Sequence, residues 1–115
     1  MTRHDDLIRI RHMLDAAREA VELAKGRTAD DIRGDRLRHL AIERLLEIVG
    51  EAAAQAPADV RQRHPDIPWN RIVGMRNEII HGYASVDLEI VVKTITENIP
   101  ALVRQLEDAL TRQSG

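Results

Sequence analysis

The sequence predicts an all-α fold, an antiparallel bundle of four main helices occupying the whole chain as one domain, residues 1–115. Apolar residues recur at alternating three- and four-residue steps through most of the chain, the period of a helix face. No segment sustains the two-residue alternation of a strand. Prolines and glycines fall between the periodic segments, where helices stop and start. A chain of this length buries roughly two thirds of the surface its unfolded form exposes, enough for a core without metal or disulfide staples.

The first stripe is Leu7, Ile10, Leu14, Ala17, Val21 and Ala24, which predicts a helix over 2–25. Thr2 and Asp5 form a capping-box pattern at its start, and Gly26 is its stop. Residues 26–35 are polar and read as a partly irregular link. The second stripe, Leu37, Leu40, Ala41, Leu45, Ile48, Ala52 and Ala56, runs until Pro57. Pro57, Pro65 and Pro68 make 57–68 a connector, with one short helical turn over 59–63. Pro68 suits the first turn of a third, short helix, which Gly82 ends after His81. A fourth helix opens at Asp87 as a cap and carries Leu88, Val91, Ile95, Ile99, Leu102, Leu106 and Leu110, with a kink or break at Pro100. Aliphatic stripes of this kind are often completed by pairing, which leaves monomer and homodimer both open at this point.

Composition narrows the function. The chain has no cysteine, which removes disulfides, thiolate metal sites and cysteine nucleophiles. Its net charge of -2 gives no overall positive field for nucleic acid or anionic membrane, so any such binding is local. Trp69 and Tyr83 are the only aromatic residues, against a platform that stacks successive bases. No apolar run has the length of a signal peptide or a membrane span, and the expected location is the cytoplasm.

The informative stretch is Arg76-Asn77-Glu78-Ile79-Ile80-His81-Gly82-Tyr83. At about 100° per residue, Arg76 falls on the same face as Ile72, Val73, Ile79 and Ile80. A guanidinium there cannot lose its proton, and needs a carboxylate or a phosphate to complete its hydrogen bonds. Glu51 is the candidate internal partner. Asn77 and His81 stand four residues apart on another side of the helix, in line with Asn70 and Gly74. That strip is either plain surface or the wall of a cleft in which an imidazole moves protons. Asp35, His39 and Glu43 follow at four-residue steps but offer only one histidine and no second helix of ligands, so no metal is expected. His4, His12 and His64 are expected at the surface.

The words RNEIIHGY at 76–83, AIERLLEIVGEAA at 41–53 and IPWNRIVGMRNEIIHGY at 67–83 resemble the HepT-like toxins of the HEPN superfamily, as does the following VDLEIVVKTITENIPAL. The resemblance implies a helical homodimer with two copies of the motif facing one cleft. It implies a metal-independent endoribonuclease acting as the toxin beside a small nucleotidyltransferase antitoxin, with RNA as substrate and no cofactor. Carried over, Arg76 would hold and polarise the scissile phosphate and His81 would be the general acid or base. Asn77 would orient His81 or the phosphate, and Glu51 would have a supporting role. Tyr83 matches the tyrosine that accepts AMP from the partner enzyme, placing negative charge at the cleft mouth. The alternative is a helical module without catalysis that binds a nucleotidyltransferase or nucleotides.

Overall fold

In the computed structural model, which describes residues 3–81 and 88–114, every regular element is helical. Helix α1 spans Arg3–Ala24, ending within a residue of its predicted stop. Gly26 follows at φ 72°, the left-handed conformation that lets the chain turn away at no steric cost. The predicted capping pair involves Thr2, which lies outside the described residues. The link expected to be irregular contains a one-turn helix, α2, Ala29–Arg33. It begins with a capping box: Thr28 Oγ1 accepts from the Asp31 N–H at 3.1 Å, and Asp31 Oδ2 accepts from the Thr28 N–H at 2.9 Å. Ile32 is the residue it buries.

Helix α3 spans Arg36–Ala54, opened by Asp35, whose Oδ1 accepts from the Arg38 N–H at 3.2 Å. Its buried face is not the predicted one. Ile42, Leu46, Val49, Gly50 and Ala53 are inside, while Leu37 is 81% exposed and Leu40 46%. The expected stripe lies one residue round the helix from the observed core. Apolar side chains surround the helix between Leu40 and Val49, so periodicity alone does not select the inward face. Docking of neighbouring helices does.

The proline-rich connector holds α4, Ala58–Arg63, as its one short helix. Arg61 folds back over the end of α3, donating from Nη2 to the Ala53 carbonyl at 3.0 Å and from Nε to the Ala56 carbonyl at 3.2 Å. His64, expected at the surface, is 3% exposed. Its carbonyl accepts the Trp69 indole N–H at 3.0 Å, which closes the connector over it. Helix α5 follows as Trp69–His81.

Beyond the link, α6 (Leu88–Lys93), a π-helical turn (Thr94–Asn98) and α7 (Ile99–Ser114) form one continuous rod. The discontinuity expected at Pro100 is the π turn just before it, where the Ile99 N–H reaches the Thr94 carbonyl five residues back. A wider turn accommodates the ring that would clash in a regular one. The predicted stripe is buried from Leu88 through Leu106, with Ala109 completing it and Leu110 half-buried. Asp87, the expected cap, lies outside the described residues.

Helix α1 packs against both α3 and α7, and their contacts form the core around Ile10, Met13, Leu14, Leu46, Val49 and Leu106. Helix α5 is the exception: among the described residues it packs extensively only on α3. No helix among the described residues is long and apolar enough to cross a membrane.

Candidate functional site

The expected site is centred where α5 crosses α3, and the crossing is close because of one glycine. A Cβ placed on Gly50 would lie 2.0 Å from the Cβ of Arg76 and 2.7 Å from its Cγ. Only a residue without a side chain lets the two backbones approach this far. Sequence reasoning assigned Gly50 no role. The available signal was a glycine inside a strong helical pattern, which costs about 1 kcal/mol against alanine and calls for a packing reason.

Gly50 holds the stem of Arg76 against α3 and leaves its guanidinium at the border of core and solvent. Arg76 is half-buried, on the same face as buried Ile72 and Ile79, as the helical period predicts. The expected partner is taken. Glu51 accepts from Arg44 Nη1 at 3.1 Å, and Glu47 accepts from the same nitrogen at 3.3 Å. These two carboxylates raise the pKa of Arg44 above its ordinary value. Glu51 therefore belongs to an exposed ion cluster on α3 and does not clamp Arg76. Among the described residues, no carboxylate forms an ion pair with Arg76.

The partner Arg76 does have is its chain neighbour: Nη1 donates to Asn77 Oδ1 at 2.9 Å. Asn77 thus orients the guanidinium. Arg76 Nε is buried with no hydrogen-bond partner among the described residues. A buried donor left in that state costs about 1–3 kcal/mol, a cost that an anionic oxygen would remove. A planar guanidinium with an unused edge is suited to grip two oxygens of a phosphate or carboxylate.

His81 is the last residue of α5, five positions after Arg76. Its side chain lies outside the described residues, as does Tyr83. The His39–Asp35–Glu43 series separates into two local pairs. His39 Nε2 meets Glu43 Oε1 at 2.6 Å, while Asp35 caps α3 and receives Arg38 Nε at 3.1 Å. Hydrogen bonds to Arg38, from its backbone first and then its side chain, lower the pKa of Asp35. Among the described residues, no three His, Asp or Glu side chains converge as metal ligands.

The class these features define is an all-helical domain with, in the middle of a helix packed mainly on one neighbour, an arginine that pairs with an asparagine and with no carboxylate among the described residues. The comparisons give the class its family. The family model described as Ribonuclease HepT-like matches residues 13–109, and the chain belongs to that family. It is 35% identical, over 90% of its length and 93% of the relative's, to a protein of Caldanaerobacter subterraneus provisionally named an RNase. A protein of Thermococcus cleftensis named probable ribonuclease HepT is 39% identical over 77% of this chain and 84% of its own. A third, provisionally named an RNase in Methanocaldococcus jannaschii, is 29% identical over 93% of this chain and 98% of its own. No solved structure matches the chain.

Proposed function

We propose that this protein is a metal-independent endoribonuclease, the toxin of a toxin-antitoxin pair, working as a homodimer in the cytoplasm. The observation that supports the reading is Arg76: a half-buried guanidinium, steered by Asn77, with no carboxylate partner and no acceptor for its buried Nε among the described residues. Membership of the family and the names of its relatives supply the substrate class. In this reading Arg76 binds the oxygens of the scissile phosphate and stabilises the charge that accumulates on phosphorus oxygens during displacement. The ribose 2′-oxygen forms a bond to phosphorus as its proton passes to a base, and the bond to the 5′-oxygen breaks as that oxygen gains a proton. His81 supplies one of these two transfers, as general base or general acid.

The same reading assigns Tyr83 as the acceptor of AMP from a nucleotidyltransferase antitoxin. The added phosphate would repel and block RNA at a site built to hold phosphate. Glu51 supports the site only indirectly, by fixing Arg44 on the neighbouring helix.

Incubation of the purified protein with RNA in excess chelator tests the chemistry. Cleavage is expected, with a drop of roughly a hundredfold or more in Arg76→Ala and in His81→Ala. Wild-type cleavage by either variant removes its assigned role, and a complex with a nucleotidyltransferase but no cleavage by unmodified protein favours the binding-module alternative. Intact mass after incubation with the nucleotidyltransferase and ATP reads the modification. Tyr83→Phe is expected to stay unshifted.

A further inference from the structure

A hollow of about 370 Å3 opens where the proline-rich connector turns into α5. Its apolar part is Ile67, Pro68 and Trp69, and its polar part is Arg61, Asn70 and Arg71. Among the described residues no carboxylate lines it. The acids of the connector are engaged elsewhere, Asp59 with Arg63 at 3.2 Å and Asp66 with Arg112 at 3.7 Å. Neither Arg61 nor Arg71 forms an ion pair among the described residues. Two guanidinium groups therefore share one hollow with their charges uncancelled, and an anion between them would relieve their repulsion.

The two arginines are not equivalent. Arg61 is half-buried and fixed, because its Nε and Nη2 are spent on the Ala56 and Ala53 carbonyls at 3.2 and 3.0 Å, which leaves Nη1 without an acceptor among the described residues. Arg71 is exposed and can turn onto the same anion. Asn70 beside it offers a donor and an acceptor to a ribose or a base.

Position identifies the occupant. Asn70 and Asn77 stand seven residues apart on α5, two turns, so both project from one face at roughly 10 Å along the axis. Arg76 is drawn to that face by its 2.9 Å hydrogen bond to Asn77. Beside the line joining them is Gly74, with nothing within 4 Å of where a Cβ would sit, so the ridge between the two places is bare. A polyanionic strand seated on Arg76 can lie along this ridge and bring a second phosphate to the hollow. The chain has a net charge of -2, so a strand must be held by such local groups.

We infer that the hollow formed by Arg61, Asn70 and Arg71 is a second phosphate subsite, which holds the backbone of the RNA strand a few nucleotides from the linkage gripped by Arg76. This assignment rests on the ribonuclease reading above and gives its substrate a path: a single strand running along α5.

The test is fluorescence anisotropy of the full chain with single-stranded RNA made of 2′-O-methyl nucleotides, which binds uncut because the attacking hydroxyl is blocked. Arg71→Gln is expected to keep the helical circular dichroism. It is expected to weaken binding of a strand of about twelve nucleotides roughly fivefold, and to flatten the slope of log affinity against log salt by about 0.7, the share of one phosphate contact on a single strand. Arg71→Glu is expected to weaken binding further. The loss is expected to vanish for a dinucleotide, which is too short to span both groups. Unchanged affinity and salt slope in Arg71→Gln, or equal weakening at both lengths, would overturn the subsite. AMP bound through Arg71 more tightly than the strand would overturn it in favour of a free nucleotide. Cleavage of ordinary RNA separates the two proposals. Arg76-dependent cleavage with Arg71-independent binding sinks the subsite alone, while Arg71-dependent binding without cleavage sinks the nuclease alone.

Discussion

Arg63, at the end of α4, meets the carboxylate of Asp6, which is 1% exposed, and that of Asp59 at 3.2 Å, whereas Arg76, in the middle of α5, meets the neutral amide oxygen of Asn77 and no carboxylate among the described residues. The first arrangement cancels a charge and ties α4 to the start of α1. The second orients a charge and leaves it uncancelled. Arg44 follows the first pattern with Glu47 and Glu51. Within one small domain, Arg63 and Arg44 are given acid partners, Arg61 is given backbone carbonyls at the end of α3, and Arg76 is given a neutral amide. Charge pairing distinguishes them in the sense opposite to burial: the exposed Arg63 has the carboxylates and the half-buried Arg76 has none among the described residues.

The largest expected effect breaks this contrast directly. Arg63→Ala strands the Asp6 carboxylate in the interior and should cost about 3 kcal/mol of stability in urea unfolding, since removing one member of a buried pair leaves the other uncompensated. RNA cleavage per folded molecule should not change. Arg76→Ala should behave in the opposite way, changing stability by less than about 1 kcal/mol because no ion pair is lost and a buried unsatisfied Nε disappears. Equal destabilisation by the two variants would make Arg76 another structural clamp.

A smaller effect sharpens the comparison by acting on position. Gly50→Ala brings a methyl group to 2.0 Å from the Arg76 Cβ, so α5 must move or Arg76 must tilt. Overpacking of this kind costs about 1–3 kcal/mol. Cleavage should fall with it, because Arg76 leaves its position beside Asn77. Combining Gly50→Ala with Arg76→Gly removes the colliding atoms, so the stability losses should be less than additive. Additive losses would mean that the methyl group strikes something else.

The parts of this fold that were legible in the sequence are those decided locally. Helix limits around Gly26, Pro57 and Pro68 follow from single residues, and the α6–α7 stripe from Leu88 to Leu106 keeps an unbroken three- and four-residue period that selects its inward face although Ile90 lies outside it, 59% exposed. Helix α2 is equally local: Thr28-Ala29-Asp30-Asp31 has the form of a capping box, the same pattern as at Thr2, set in a stretch whose polarity hides it. What sequence could not supply was register between helices. The inward face of α3 and the partner of Glu51 both depend on how far α5 slides along α3, and the Gly50–Arg76 contact fixes that. Arg76, Asn77 and His81 could be singled out from spacing. That Asn77 holds Arg76, and that Glu51 does not, required the three-dimensional pairing.

The smallest expected effect concerns the interior polar group that the protein has not paired. His64 is buried with both ring nitrogens lacking hydrogen-bond partners. Burial, then the nearby positive charges of Arg112 and Arg63, push its pKa below the ordinary 6.5, and Asp6 opposes them only in part. The imidazole is therefore neutral in the folded protein at pH values where the unfolded chain has begun to take up the proton. By linkage, the stability this contributes is complete above about pH 6.5 and is lost as the pH falls toward the lowered folded-state value. Melting temperature should accordingly decline between pH 7 and pH 5. His64→Phe keeps a planar ring in the same space, removes the titrating group and sacrifices no hydrogen bond, so its decline over that interval should be shallower. Parallel slopes for wild type and variant would show that protonation of His64 does not oppose the fold and that the ring is held charged by Asp6.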